Sequence, residues 1–463
     1  GFNLDHGTDF STKIDGMPIN LPTHGHGQGY TDVNFLIPEL IKTMDYVKGP
    51  YHAELGDFSS AGGAHIRTFQ RLPESQLTVG IGENGYGRLL AAGGSDLANG
   101  HLMGAIEGQV YDGPWTDIKE DVEKVNGLVR WSANAGGFDY GITAMYFDAS
   151  WNSADQIPER AVEQGLIDAY GSLDETLGGN TRRASLSGTM TWADNLSSNE
   201  LNAWIIDYEL QLWSNFTYLL DNPVNGDQFS QIDDRTVYGG DWNRAWRTDL
   251  AAGHIHHSLG VQIRHDDIDS VGLISTRERM PISITRLDSV RETSLGAYYE
   301  MRWDFQDDWR TVLGVRADQF WFDVDSDTPE NSGSESDGII SPKGSLIYRF
   351  SENTEAYLSG GLGFHSNDAR GTTIRVDPIT GVPVESVDPL VRSTGGELGF
   401  RTLGTRGLIS SVAVWILELD SELLFVGDAG ITEPSRPSRR WGIEFNNTWM
   451  ITDIWRLEAD LAW

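Results

Sequence analysis

The sequence contains no cysteine among its 463 residues. It therefore forms no disulfide, no thiolate metal site and no catalytic cysteine. It also lacks the local patterns of a serine-hydrolase elbow, a phosphate-binding loop and an HExxH zinc site. These absences count against the commonest soluble enzyme classes, and nothing in the composition calls for a cofactor.

Basic residues are scarce relative to acidic ones. The chain has 34 Lys+Arg against 68 Asp+Glu, a formal net charge of −34. Such a chain repels nucleic-acid phosphates, so no nucleic acid is expected as a partner. The excess acid is interpreted as solvated loops.

Long apolar runs are missing as well. No stretch of 18 or more apolar residues occurs, which excludes a transmembrane helix. It does not exclude a membrane barrel, whose strands alternate polar and apolar residues and look hydrophilic on average.

What the sequence does contain is period-2 alternation, from about residue 75 to the end. In 294–305, Leu295, Ala297 and Trp303 fall on one face, and Glu300 and Arg302 on the other. Such runs match the roughly 9–11 residues that a membrane strand needs. Full charges in mid-strand are typical of a wet lumen, and aromatic residues near strand ends are typical of interfacial girdles.

The predicted connections alternate in length. Gln306–Trp309 and Ser351–Thr354 read as tight polar turns. Long loops are expected over 150–182, 221–250, 266–292, 322–340 and 365–393. Short turns at one end and long loops at the other indicate an all-β membrane protein, a large antiparallel transmembrane β-barrel.

The first seventy residues carry two motifs. Ile14-Asp-Gly-Met-Pro-Ile-Asn resembles a V-D-G-x-P segment, and 37–63 resembles I-P-x-x-I-E-x-I-E-V-x-x-G-P followed by G-x-x-A-x-G-G. Both are similar to the plug of TonB-dependent outer-membrane receptors. The resemblance implies a small α+β plug domain over 1–70, placed inside the lumen of a barrel over 71–463. The motif residues are Asp15, Gly16, Pro38, Gly49, Pro50, Gly56, Gly62 and Gly63.

Physical roles follow for the motif glycines. Gly49-Pro50 predicts a tight turn between strands. Gly56, Gly62 and Gly63 are expected to let the plug pack closely against the barrel wall.

The family's barrels have 22 strands, whereas 71–463 has room for about 16 at roughly 25 residues per strand and loop. The resemblance therefore implies a fragment truncated at both ends, without a TonB box and without the closing strands. We expect two unpaired sheet edges from that arithmetic.

The substrate site is predicted from the family's topology. The loop around His24-Gly-His26 would lie at the plug apex, and Gly361–Gly371 is similar to a strand entering an extracellular loop. The two histidines either contact substrate or bond to backbone and water, and losing both is expected to cost little stability. The expected substrate-binding residues are His24, His26, Gln28, Tyr30, His365, Asn367 and Arg370. Lumen arginines such as Arg264, Arg302 and Arg316 either bind substrate or pair with lumen acids.

The resemblance implies a receptor for TonB-dependent active uptake, most simply of a ferric siderophore or other metal chelate. Haem, cobalamin, copper chelates and glycans stay open as substrates. Its partners would be TonB with its inner-membrane energising complex, an extracellular small molecule and the lipid of a Gram-negative outer membrane. The alternatives are a passive porin or adhesin barrel, which would lack a plug, and a soluble β-rich enzyme.

Overall fold

The computed structural model describes residues 9–251, 253–405, 407–422, 424–426, 431–433 and 436–463. Residues 9–69, the N-terminal unit, contain a four-stranded sheet of order β2-β1-β4-β3. Its strands are β1 (Phe10–Ile14), β2 (Met17–Pro18), β3 (Ile41–Lys48) and β4 (Gly62–Thr68). The parallel pair β1–β4 runs from Phe10 opposite Gly62 to Ile14 opposite Ile66. A single 3-10 turn, Pro38–Leu40, leads directly into β3.

Seventeen strands form a second sheet that curls into a barrel. Its first half comprises β5 (Gln76–Ile81), β6 (Gly87–Leu97), β7 (Gly100–Tyr111), β8 (Val122–Ala135), β9 (Phe138–Asn152), β10 (Gly178–Ala193), β11 (Ser197–Ser214), β12 (Phe229–Leu250) and β13 (Gly253–Arg277). The second half comprises β14 (Met280–Gln306), β15 (Trp309–Ser326), β16 (Gly333–Ser351), β17 (Thr354–Ser366), β18 (Leu390–Thr405), β19 (Leu408–Leu419), β22 (Ser438–Met450) and β23 (Arg456–Ala462). A small hairpin, β20 (Leu424–Val426) with β21 (Ile431–Glu433), lies between β19 and β22.

The long connections lie at one end of the barrel, and the connections at the other end are short. One end, the turn end, has connections such as 98–99, 136–137, 307–308 and 352–353, and the predicted turns after Gln306 and Ser351 are confirmed there. The opposite end, the loop end, carries 153–177 with the helix α1 (Glu159–Glu163) and 367–389 with the helix α2 (Ala369–Thr373). The barrel therefore has the polarity that the sequence predicts.

Three of the predicted long loops are wrong. In the first of them, 221–250, residues 229–250 form β12. Residues 266–292 belong almost entirely to β13 and β14, which have 25 and 27 residues, and most of 322–340 continues β15 and β16. β13 and β14 are more than twice the roughly 9–11 residues that a membrane strand requires. These segments were predicted as loops because their residues are polar. The backbone hydrogen bonds of an antiparallel hairpin form whether the side chains are polar or apolar.

The expected open edges are also corrected. The seventeen strands, against about sixteen predicted, are arranged as a closed barrel in which β23 lies next to β5. Sixteen antiparallel steps separate these two strands along the chain, so they run in the same direction. All seven residues of β23 are exposed, which makes this the least packed part of the wall.

Neighbouring residues of one strand face opposite sides of the wall, as the alternation predicts. Val261 is 39% exposed on the outer surface. The next residue, Gln262, donates a hydrogen bond to the Glu54 carbonyl oxygen of the N-terminal unit, so it faces the lumen. Among the described residues, no helix is long and apolar enough to cross a membrane.

The apolar core lies between the N-terminal unit and the barrel wall. One cluster joins Ile14, Met17 and Phe35 of the unit to wall residues such as Phe147 and Ile206. A second cluster joins Ile37 and Leu40 to Leu90, Met103 and Leu128. The wall thus supplies the other half of the core that the small sheet cannot build by itself.

Candidate functional site

The Asp-Gly motif at the start of the N-terminal unit anchors that unit both internally and to the wall. The Asp15 carboxylate accepts hydrogen bonds from the Thr68 backbone N–H at 3.0 Å and the Thr68 hydroxyl at 2.6 Å. It also forms an ion pair with Arg130 of β8, whose side chain is only 5% exposed. The next residue, Gly16, lies against Asn202 of β11, where an added Cβ would come within 2.8 Å of the amide carbon.

The segment around Pro38 makes a second ionic contact with the wall. Glu39 accepts two hydrogen bonds from the Arg88 guanidinium, at 2.7 and 2.8 Å. Arg88 also pairs with Glu107 on the neighbouring strand. The bidentate geometry fixes the height of the 3-10 turn on the barrel wall.

The Gly49-Pro50 turn and its neighbours contact β15 and β16. Gly49 has a φ of +72°, a left-handed conformation that favours glycine. The Pro50 carbonyl oxygen accepts a hydrogen bond from the Lys343 ammonium at 3.0 Å. Gly56 packs against Arg316, where an added Cβ would lie 2.4 Å from Nη2, so its predicted contact with the wall is confirmed.

The corresponding expectation for Gly62 and Gly63 is wrong. An added Cβ at Gly62 would meet the Val47 carbonyl oxygen, and one at Gly63 would meet that of Ser11. Both contacts lie within the N-terminal sheet, because β4 is its central strand between β1 and β3. These glycines allow strand packing inside the unit and do not touch the barrel.

Residues 20–30 form the part of the N-terminal unit closest to the loop end, and His24 is its buried centre. The His24 ring is fully buried and stacks on Tyr30, with centroids 4.1 Å apart and planes 3° apart. Its Nε2 lies 3.1 Å from the Tyr208 hydroxyl, and its Nδ1 accepts from the His26 backbone N–H at 3.1 Å. Both ring nitrogens are therefore engaged, which leaves no lone pair for a metal.

His26 differs from His24 in being half-buried. Its Nδ1 lies 2.8 Å from the Gln231 side-chain oxygen, and its ring meets Tyr30 edge-on. Burial raises the pKa of the Tyr30 hydroxyl, and Asp32 and Asp233 raise it further. The neutral phenol can thus serve as a hydrogen-bond donor at any physiological pH.

The loop after β17 folds inward onto this apex. Gln28 Nε2 donates to the Ser366 carbonyl oxygen at 2.5 Å, and the Ala369 backbone N–H donates to the Thr23 hydroxyl at 2.8 Å. Arg370 Nη2 donates to the His24 carbonyl oxygen at 2.9 Å. The helix α2 is buried throughout, so the loop closes directly over residues 23–28.

Charge pairing holds this loop in place. The Arg370 guanidinium grips Asp368 through Nε and Nη2, at 2.8 and 2.7 Å. Burial would raise the pKa of Asp368, but Arg370 and Arg286 hold it below its usual range. The carboxylate therefore stays ionised and keeps Arg370 aimed at the apex.

His365 and Asp57 form a separate junction below the loop. His365 Nδ1 lies 3.0 Å from Asp9, and the Ser366 backbone N–H donates to Asp57 at 2.6 Å. Burial raises the pKa of Asp57 to about 6, against the lowering effects of the Ser366 hydrogen bonds and His365. Asp318 raises this pKa further.

The predicted substrate residues thus come from two distant parts of the chain and meet at one place. His24, Gln28 and Tyr30 adjoin Arg370 and Asn367, whereas His365 belongs to the neighbouring junction with Asp9. Substrate contact by these residues stays a prediction. The expectation that His24 is cheap to remove is contradicted, because its ring fills a closed, stacked position.

Pairing of the lumen arginines with acids was among the expectations from the sequence, but the recurring spacing of these pairs was missed. Buried arginines on the lumen side pair with an aspartate two positions away, on the same face of the strand or turn. The pairs are Arg235–Asp233, Arg264–Asp266, Arg286–Asp288, Arg316–Asp318 and Arg370–Asp368. The R-x-D and D-x-R spacing was visible in the sequence and is the signal that would have found them. For Arg264 and Arg316 the structure favours the ion pair with an aspartate over the binding of substrate.

Family and structural comparisons agree with this architecture. The model of the TonB dependent receptor-like β-barrel family matches residues 114–463. The chain therefore belongs to the TonB-dependent receptors, a family of receptors and transporters rather than enzymes. Among the described residues, no group of three or more His, Cys, Asp or Glu side chains is arranged to hold a metal ion.

Solved structures of the same fold cover nearly the whole chain. The ferric citrate transporter FecA, unliganded, has 13% identity and a TM-score of 0.76, over 97% of this chain and 67% of its own. The copper transporter OprC has 14% identity and a TM-score of 0.75, over 98% and 71%. The ferric yersiniabactin uptake receptor FyuA from Yersinia pestis has 14% identity and a TM-score of 0.73, over 99% and 70%. At these identities the similarity concerns the fold.

Proposed function

We propose that this chain is an outer-membrane receptor that takes up a ferric siderophore or another metal chelate with energy delivered through TonB. In this proposal residues 1–70 act as the plug and residues 71–463 as the barrel. The substrate class is supported by structures of the same fold, which include transporters of ferric citrate, copper and ferric yersiniabactin.

The observation that carries the proposal is the filled lumen. Between the described residues of the N-terminal unit and the wall lie small cavities, such as those of about 100 Å³ beside Lys13 and Arg264 and about 10 Å³ beside Phe35. Ligand pockets for small molecules are typically about 300–1,000 Å³. A metal chelate therefore cannot pass while the unit is in place, which argues against the passive porin.

Movement of the unit must break the contacts that hold it. The ion pairs of Asp15 with Arg130 and of Glu39 with Arg88 tie it to the wall. Breaking the more deeply buried of the two, Asp15 with Arg130, costs on the order of 3–5 kcal/mol, and the partly exposed pair of Glu39 with Arg88 costs less. Thermal motion seldom breaks all of these contacts at once, so movement of the unit requires an external energy source. The family implies that this source is TonB with its inner-membrane complex.

Substrate would arrive at the loop end and meet the apex first. His26 is only half-buried, and Arg370 belongs to the loop that closes over the apex, where its guanidinium donates to the His24 carbonyl oxygen and to Asp368. The half-buried imidazole of His26 offers a donor for a carboxylate or phenolate oxygen of a chelate. The apex and the loop 366–373 therefore form the proposed first binding site.

The proposal is tested by uptake of radiolabelled iron as ferric citrate and as a ferric catecholate. The protein, as its host makes it, is expressed in a strain that lacks its own ferric-chelate receptors, with and without TonB. Uptake of either chelate that requires both this protein and TonB supports the proposal. Uptake that persists without TonB would support the passive porin instead, and uptake of neither chelate would remove this substrate class.

A further inference from the structure

Arg183 occupies an unusual position on the lumen side of β10. It lies across the sheet from Phe147 on β9 and Tyr208 on β11. Both neighbours belong to the apolar cluster that joins the N-terminal unit to the wall. Arg183 is only 5% exposed, so a guanidinium lies inside an otherwise apolar contact.

The guanidinium has almost no polar partner. Its Cζ lies 4.5 Å from the centre of the Phe35 ring, and its Nη2 lies 3.8 Å from the Met17 sulfur. Its Nε has no hydrogen-bond partner. No acidic side chain in the described part of the chain forms an ion pair with it.

This isolation is specific to Arg183. Arg235, Arg286 and Arg316 are as deeply buried, and each pairs with an aspartate two positions away. At Arg183 the corresponding positions hold Thr181 and Ser185, which carry no charge. The device that neutralises the other buried arginines is therefore absent here.

The stability of the protein with its N-terminal unit docked in the barrel does not explain an unpaired arginine at this position. Burying a charge without a counter-ion is costly, and a contact with one aromatic ring and one sulfur offsets only part of that cost. An apolar side chain of similar length would pack between Phe35 and Met17 without that penalty. The guanidinium must then serve in another state of the molecule.

Both groups that cover Arg183 belong to the N-terminal unit. When that unit moves, Met17 and Phe35 leave, and five N–H donors become free at the lumen wall. A guanidinium binds carboxylate and similar oxygen anions through paired hydrogen bonds. We propose that Arg183 is a transit site, which holds an oxygen-anion group of the metal chelate after the unit has moved and before release. This inference rests on the proposed function above.

The first test compares stability with transport in Arg183→Met. We expect a higher melting temperature in detergent, unchanged chelate binding to whole cells without TonB, and TonB-dependent uptake reduced about tenfold or more, the usual weight of a charged hydrogen bond. Arg235→Met is the matched control. It strips Asp233 of its cation, leaves Asp266 with Arg264 alone, and should lower the melting temperature.

The outcomes separate this inference from the proposed function. If the wild type takes up neither ferric citrate nor a ferric catecholate in the presence of TonB, the proposed function is wrong, and the transit site with it. Normal wild-type uptake with undiminished uptake by Arg183→Met would overturn the transit site alone. A lower melting temperature for Arg183→Met would also overturn it, because the arginine would then be structural.

A second test uses the absence of cysteine from the chain. Arg183→Cys provides a unique thiol beneath Met17 and Phe35. We expect a membrane-impermeant thiol reagent to leave it unmodified in resting cells and to modify it in energised cells supplied with the transported chelate. Equal protection in both conditions would show that position 183 is never uncovered, and the transit site would be abandoned.

Discussion

The Asp15 carboxylate receives the Thr68 backbone and hydroxyl donors and pairs with Arg130 across the boundary between the N-terminal unit and the wall. One side chain thus closes the N-terminal sheet and fastens it to β8. The Asp-Gly motif that identifies the segment in the sequence owes its form to this double role: the carboxylate makes the contacts, and the glycine allows the approach to Asn202.

Asp15→Ala should therefore destabilise the docked N-terminal unit by about 3–5 kcal/mol, because it leaves Arg130 buried without a counter-ion. The matched control is Asp45→Ala, which removes an ion pair with Arg67 whose two side chains are 67% and 52% exposed. That change should cost about 0–1 kcal/mol. Thermal unfolding of the detergent-solubilised protein measures both, and equal losses would contradict the anchoring role of Asp15.

Asp57 provides a pH-dependent contribution to docking. Its pKa is raised to about 6 in the folded protein, mainly by burial, against about 4 for an unperturbed aspartate. Between these values the folded state binds the proton more tightly, so stability falls as pH rises from about 4 through 6. Two pKa units correspond to about 3 kcal/mol at most.

Asp57→Asn removes that titration and keeps an oxygen acceptor for the Ser366 backbone N–H. The melting temperature of the variant should exceed that of the wild type at pH 7.5, and the difference should shrink toward pH 4.5. Melting curves at four or five pH values test this. Parallel curves across the range would mean that Asp57 does not titrate near 6 in the docked state.

Much of the fold could be predicted because barrels obey local rules. Alternation in 294–305 assigned the two faces of β14 correctly. Leu295 is 41% exposed, and Glu300 accepts a hydrogen bond from the Ala53 backbone N–H of the N-terminal unit. The tight turns after Gln306 and Ser351 followed from their polar dipeptides. The long hairpin over 266–292 was missed because strand pairing above the membrane depends on the backbone ladder and not on hydropathy.

The candidate site was less predictable, for a different reason. His24 and Arg370 were both singled out, but their contact joins residues 346 positions apart and depends on how the loop folds. Nothing local distinguishes the buried His24 from the half-buried His26 until the N-terminal unit is in place. Arg183 differs locally from the paired arginines in having no aspartate two positions away, but its contact with Phe35 appears only in the docked structure. Contacts between the N-terminal unit and the barrel depend on how the two dock, and the spacing of residues within either one does not predict them.

Adjacent residues of β13 allow a direct test of the membrane-facing surface. Val261→Lys places a charge on the outer face near the middle of the wall and should cost about 2–4 kcal/mol. Gln262→Lys places the same charge in the lumen, where the ammonium can still donate to the Glu54 carbonyl oxygen, and should be mild. Folding yield and urea unfolding in lipid vesicles compare the two. A similar penalty for both would mean that Val261 does not face lipid.

The last prediction separates the two apex histidines. His24→Ala removes a fully buried ring that stacks on Tyr30 at 4.1 Å, and it should destabilise the protein by about 2–4 kcal/mol, as other large-to-small changes in cores do. His26→Ala removes a half-buried ring and should cost less than about 1 kcal/mol. Because His26→Ala leaves the fold intact, it is the variant that tests substrate contact. Ferric chelate binding to whole cells should weaken in His26→Ala while its melting temperature stays close to that of the wild type. Unchanged binding of every chelate that the wild type binds would remove His26 from the site, and a His24→Ala protein as stable as His26→Ala would show that the stacked apex is not formed.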